Sequence, residues 1–210
     1  MPSPQRRMLV RDHDDKKLFE LMQEKNLLRQ YDYLLNCIDI GLSQGPNAFD
    51  KYFLWSLNHI AVSNISQFGG RFRNEPFYVG NHMPPHYKDV PELVDRCISF
   101  IYENWFVLSP TMLAAYGLWR LNWIHPFIEG NGRTARAVCY YLLCARGGAL
   151  LGGKKIIPER IRETRPQYYA ALKAADKAWN EGHFDLSQME AYLADLAQAQ
   201  VTDTNGAQAP

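Results

Sequence analysis

The chain has no apolar run long enough to cross a membrane: the longest, from Ala137 to Ala145, falls far short of the roughly 20 residues a membrane helix needs. It has no basic block either. Lysine and arginine number 23 against 22 acidic residues, a formal net charge of +1, which removes the broad phosphate-backbone affinity of nucleic-acid binders. Cysteine is scarce. Cys37, Cys97, Cys139 and Cys144 include no CxxC pair and no metal-type spacing to histidine, so they read as free thiols in a reducing compartment. The N-terminal MPSPQRRMLVRDH lacks the apolar stretch that follows the basic residues of a signal peptide. No internal repeat and no Pro/Gly-rich linker interrupts the middle of the chain. These absences predict a cytoplasmic protein that contacts neither membrane nor nucleic acid, and they leave delivery by a specialised secretion system open.

What is present is helical periodicity. With 210 residues, 47% of them apolar, the chain can bury a sizeable core. The pattern predicts a mainly α fold with helices at about 14 to 39, 47 to 65, 88 to 106, 109 to 123, 131 to 146, 156 to 163, 166 to 181 and 186 to 199. Asp14-Asp15 is the expected cap of the first, and Ser109-Pro110 of the fourth. Gly147-Gly148 ends the fifth. The closing VTDTNGAQAP is polar and reads as frayed. His82 and His86 have the spacing of a helical zinc pair, but Pro84-Pro85 prevents a helix there.

Chemistry concentrates in residues 125 to 136, HPFIEGNGRTAR, between the fourth and fifth predicted helices. Gly130, Asn131 and Gly132 can adopt backbone conformations that aim their N–H groups at one point before a helix start, which makes an anion-binding nest. Arg133 and Arg136 share the first helical turn and can reach one phosphate chain, so more than one charged phosphate is implied. Glu129, just ahead of the nest, would repel phosphate unless a cation lay between them, and Mg²⁺ is the usual bridge. A nucleoside triphosphate with Mg²⁺ therefore fits better than a simple phosphate ester. A histidine changes charge near neutral pH, so His125 can take a proton from an attacking hydroxyl while Pro126 and Phe127 fix its loop. Each element alone has an ordinary structural explanation; their order is what carries weight.

That order resembles the signature HPFx(D/E)GN(G/K)RxxR of the Fic family (filamentation induced by cAMP) at every specified position. The resemblance implies a Fic-domain helical bundle with a small β-hairpin flap. It also implies an enzyme that transfers AMP from ATP to a Ser, Thr or Tyr hydroxyl of a target protein and releases pyrophosphate. By that likeness His125 deprotonates the hydroxyl and Glu129 holds Mg²⁺. The turn Gly130, Asn131 and Gly132 with Arg133 binds phosphate, and Arg136 holds the outermost one. The related death-on-curing kinases carry lysine where this chain has Gly132, so the glycine favours AMP transfer.

The resemblance extends on both sides of the motif. Residues 70 to 85 combine the β-formers Phe72, Phe77, Tyr78 and Val79 with turn-prone Asn74 and Pro76, which predicts a short hairpin. In the family a flap lies between a GxxR and a PP element, here Gly70 to Arg73 and Pro84-Pro85. It captures an extended target segment as an added strand, for which Phe77, Tyr78, Val79 and Gly80 are the candidates. Downstream, the likeness points to Tyr168 as a nucleotide contact, with Asp176 where several relatives have asparagine. The division implied is an N-terminal accessory helix region over 1–48, a Fic domain over 49–196 and a disordered tail over 197–210.

Many family members are held off by a glutamate in (S/T)xxxE(G/N). The N-terminal region has no such match, and the occurrence at Ser99 to Asn104 lies inside the core. Inhibition is thus absent, degenerate in sequence, or supplied by an antitoxin-like partner. Within enzymes the alternatives are another donor, such as a different nucleotide or a phosphocholine carrier, or AMP removal. Outside them the alternative is a protein-binding module whose catalysis is vestigial.

Overall fold

The computed structural model describes residues 16–80 and 82–205. Among the described residues there are eight α-helices: α1 (Lys16–Gln44), α2 (Lys51–Ala61), α3 (Val90–Glu103), α4 (Pro110–Ile124), α5 (Asn131–Gly147), α6 (Ile157–Glu163), α7 (Arg165–Asn180) and α8 (Ser187–Asn205). All eight stand where the periodicity sets them. The expected cap at Asp14-Asp15 lies outside the described residues. Among the described residues, no helix is long and apolar enough to cross a membrane.

The end signals act through specific bonds. The Ser109 hydroxyl accepts from the Met112 N–H at 3.0 Å with Pro110 behind it, and Asp50 caps α2 by accepting from the Phe53 N–H at 2.8 Å. Gly148, at φ 83°, ends α5 in the left-handed conformation. At the centre, α4 and α5 form the most extensive helix pair. They bury Leu113, Leu118, Trp119, Leu121, Val138, Tyr140 and Leu142 around the loop that carries the motif. α1 and α2 pack on α5, and α3 and α8 pack on α4.

The N-terminal helix is fastened to this body by buried amides. Asn26 donates to the Ser63 carbonyl at 2.7 Å and Gln30 to the Leu57 carbonyl at 2.9 Å, so carbonyl groups at the end of α2 find donors on α1. α8 likewise continues to Asn205, where composition suggested a disordered tail from 197. The reason is Gln200, which is fully buried. Its amide accepts from the Ile157 N–H at 2.8 Å and donates to the Leu151 carbonyl at 2.8 Å and the Tyr140 hydroxyl at 3.2 Å. Asp203 pairs with Arg160.

The hairpin expectation needs correction. Among the described residues between α2 and α3 the strand pairing reduces to isolated antiparallel bridges, Val79 with His82 and Phe72 with Phe127. Phe72 pairs with the motif loop instead of with the flap, and the prolines at 76, 84 and 85 have no N–H to extend a ladder. The flap is anchored otherwise: a His82 ring nitrogen lies 2.9 Å from the Trp123 carbonyl oxygen, at the end of α4.

The cysteines are separated by burial. Cys97, Cys139 and Cys144 are buried and Cys37 is half-buried. Burial pushes the Cys97 thiol up to about 12 against a smaller opposing pull from the Arg120 charge, and raises the other three thiols as well. Dithionitrobenzoate should therefore titrate Cys37 alone, and slowly, in the folded protein, with the other three appearing in denaturant. Rapid native-state reaction of more than one thiol would contradict this packing.

Candidate active site

The loop between α4 and α5 is held in two unusual backbone conformations. His125 follows the last residue of α4 and adopts the left-handed region at φ 50°, ψ 60°, which costs a non-glycine residue about 1 kcal/mol. Arg73 holds it there. This side chain is 2% exposed, and its Nε donates to the His125 carbonyl at 2.8 Å. Nη2 donates to Ile124 at 3.3 Å and Pro85 at 2.5 Å, and Nη1 to the Glu75 carbonyl at 3.3 Å. The Arg73 N–H adds a bond to the Pro126 carbonyl at 2.8 Å. One guanidinium therefore fixes the end of α4 and both roots of the flap. Burial lowers its pKa, yet a guanidinium remains charged. Phe77 stacks on the His125 ring at 5.2 Å with an interplanar angle of 20°.

The second unusual residue is Gly130, at φ 80°. A Cβ there would lie 2.6 Å from Val62 and 2.9 Å from the Asn58 amide, so only glycine fits. Asn58, fully buried on α2, donates to the Glu129 carbonyl at 2.8 Å and accepts from the Gly70 N–H at 2.9 Å. It thereby couples the motif to the first root of the flap. Asn131 is buried too: its amide accepts from the Phe127 N–H at 2.9 Å and donates to the Phe127 carbonyl at 2.7 Å. Both ends of that side chain are thus spent on the loop. What Asn131 and its neighbours offer an anion is the backbone, because the first N–H groups of a helix lack intrahelical acceptors.

Charged side chains complete the wall. Arg133 donates to the Ala61 carbonyl at 2.7 Å and lies 3.5 Å from Glu129. Burial lowers its pKa, and the Glu129 charge opposes that. Glu129 also accepts from the Gly130 N–H at 3.2 Å. Arg136 is lowered by burial, opposed by the Tyr168 phenol and reinforced by repulsion from Arg162, Arg133 and Arg165. His125, Glu129, Gly130, Asn131, Gly132, Arg133 and Arg136 all line one cavity of about 890 Å³, the size class of small-molecule sites. Phe77, Tyr78, Val79 and Gly80 line it from the flap side.

Tyr168 is not among the lining residues. It is buried, and its hydroxyl accepts from the Asn122 amide at 2.9 Å. Asp176 accepts from the Trp119 indole at 2.9 Å. Glu103 sits exposed on α3 and does not line the cavity. Sequence reasoning missed the residues that do: Glu20 and Glu24 from α1, Lys154 from the segment before α6, and Arg162 and Arg165. The usable signal was ERIRETR, whose arginines precede the two tyrosines.

In this helical domain a loop at a helix start, arginine side chains and a flap face one cavity. Residues 48–143 match the model of the Fic/DOC family. The chain is 37% identical over 136 residues to the "Protein adenylyltransferase Fic" of Drosophila persimilis, covering 62% of this chain and 23% of the relative. It is 35% identical over 184 residues to the protein of the same name from Drosophila melanogaster, covering 84% and 34%. The chain thus spans about a quarter to a third of the length of these curated relatives. A solved structure of Fic-1 from C. elegans superposes with a TM-score of 0.67 at 23% identity, over 89% of this chain and 51% of that one, a likeness of fold.

Replacing Arg73 by Met leaves the carbonyls of His125, Pro85 and Glu75 short of a donor. Losing that many buried bonds should lower stability by about 3 kcal/mol, read as a lower urea midpoint at unchanged slope. An unchanged midpoint would show that Arg73 does not hold the loop.

Proposed function

We propose that the chain is a protein adenylyltransferase that moves AMP from ATP to a hydroxyl side chain of a target protein and releases pyrophosphate. The observation that carries this reading is the convergence of His125, the Gly130–Arg133 turn, Arg136 and the flap on one cavity. The target hydroxyl, a Ser, Thr or Tyr, gives its proton to His125. Its oxygen forms a bond to the α-phosphorus, and the bond from that phosphorus to the bridging oxygen of the β-phosphate breaks. The start of α5 and Arg133 stabilise the negative charge that spreads over the phosphoryl oxygens; positioning and electrostatics account for most catalysis in such transfers.

Glu129 is the residue that would hold Mg²⁺. A single carboxylate beside a phosphate nest suits this ion, which commonly takes one or two protein carboxylates and fills its other positions with water and phosphate oxygens. When bound, it neutralises phosphate charge. Gly132 supports AMP transfer: a Cβ there would lie 3.1 Å from the Arg136 guanidinium, so a longer side chain would crowd the arginine assigned to the outermost phosphate. The target segment adds as a strand to the flap along Phe77, Tyr78, Val79 and Gly80, which line the cavity. The role of an inhibitory glutamate falls to Glu24, which lines the same cavity as Arg136.

Incubation with Mg²⁺, a lysate and ATP labelled on the α-phosphate should place label on protein hydroxyls. His125→Ala should lower incorporation at least about a hundredfold, the scale of a lost general base. Label from the γ-phosphate alone would make the chain a kinase, and nucleotide binding with no transfer would make it a binding module. Glu24→Gly should raise the rate, and an unchanged rate would remove Glu24 from control.

A further inference from the structure

The family signature supplies two cavity arginines; the cavity has four. Arg162 lies in the last turn of α6 and Arg165 opens α7, and both line the cavity with Arg133 and Arg136. The junction that carries them is built. The Thr164 hydroxyl, between them, donates to the Arg160 carbonyl at 2.8 Å and lies 2.7 Å from the Tyr192 hydroxyl, so α8 holds the bend. The other charges of ERIRETR are used structurally. Arg160 bonds the carbonyls of Lys155 and Ala199 and pairs with Asp203, while Glu163 is held by Lys155 at 2.8 and 3.0 Å. Arg162 and Arg165 have no such partner among the described residues.

The surroundings of Arg136 point the same way. Among the described residues it makes no ion pair, and the guanidiniums of Arg162, Arg133 and Arg165 repel its charge, opposed by the Tyr168 phenol. Acids do line the cavity. However, Glu129 is engaged by Arg133 and Gly130, Glu159 accepts from the Ile156 N–H at 3.3 Å, and Glu20 lies 3.8 Å from Lys16. Of these acids, Glu24 alone makes no hydrogen bond or ion pair among the described residues. Guanidiniums that repel one another around a cavity are matched by a ligand with several negative charges, and a guanidinium fork suits phosphate oxygens.

We infer that Arg162 and Arg165 complete the polyphosphate site begun by Arg133 and Arg136, taking the two terminal phosphates of the donor and then the pyrophosphate as it leaves. This rests on the adenylyltransferase reading for the identity of the donor. Both side chains are exposed, so they stand where the departing diphosphate meets solvent. Their charge distinguishes ATP from AMP while leaving the α-phosphate to the motif.

Binding of inorganic pyrophosphate, ATP and AMP would be measured by calorimetry at low salt for the wild type, R162Q, R165Q, the double variant and R136Q, with a thermal melt for each. Each single variant of the new pair should weaken pyrophosphate and ATP about tenfold, the double variant about a hundredfold, with AMP unchanged. R162K should restore part of the loss. If R136Q loses pyrophosphate while folded R162Q and R165Q keep it, the inference is overturned and the proposed function stands. Equal loss of AMP and pyrophosphate would also overturn it, as a general charge effect. A wild type that binds ATP no better than AMP, and pyrophosphate not at all, would overturn both.

Discussion

Everything at the site depends on a short loop that cannot hold its own shape. Between α4 and α5 the backbone passes through left-handed conformations at His125, where a side chain makes it unfavourable, and at Gly130, where a side chain would clash with Val62 and Asn58. Three buried polar side chains impose it: Arg73 from the flap root, Asn58 from α2, and Asn131 from the loop itself. Each directs hydrogen bonds to backbone groups, and Asn58 also donates to the Thr134 hydroxyl at 3.3 Å. A buried donor that loses such a partner costs more than the bond contributes, so the three resist distortion together. His125 and the start of α5 are thereby fixed relative to one another before any ligand arrives, which is where preorganised electrostatics gains its effect.

The same bonds join the loop to its surroundings. Arg73 ties His125 to both flap roots, and Asn58 ties Glu129 to Gly70, so flap and motif are parts of one hydrogen-bonded unit. The far wall is set by the other end of the chain. Gln200 on α8 fastens the segment around Leu151 and Ile157, and Tyr192 fastens the bend carrying Arg162 and Arg165. α1 closes the remaining side through Asn26 and Gln30. Segments before and after the signature therefore shape the cavity as much as the signature does.

How much of this was legible depended on the range of the interaction involved. The helices were readable because α2 and α3 show local apolar periodicity and because Ser109 and Gly148 act on their immediate neighbours. The motif was readable because its residues are contiguous. Asn131 was only half read: the sequence placed it at the anion site, but that its side chain folds back on Phe127 follows from three-dimensional burial. That Tyr168 is buried against Asn122 was not legible for the same reason, since a helix position does not say which side faces the cavity. The flap looked like a hairpin because β-formers flank a turn, yet Phe72 found its partner across the fold in Phe127. Gln200 looked like part of a polar tail, although a buried amide with three partners orders the helix around it. Glu24, Arg162 and Arg165 reach the site only through tertiary packing, which no local pattern records.

The central claim is that a loop fixed in advance binds the donor's phosphates through the backbone at the start of α5. Nuclear magnetic resonance of amide-labelled protein titrated with Mg²⁺ and ATP addresses it directly. The account predicts that the amide signals of Gly130 to Arg133 shift on binding and gain protection from hydrogen exchange, and that pyrophosphate moves the same set. Saturable ATP binding that leaves these four amides where they were would contradict it.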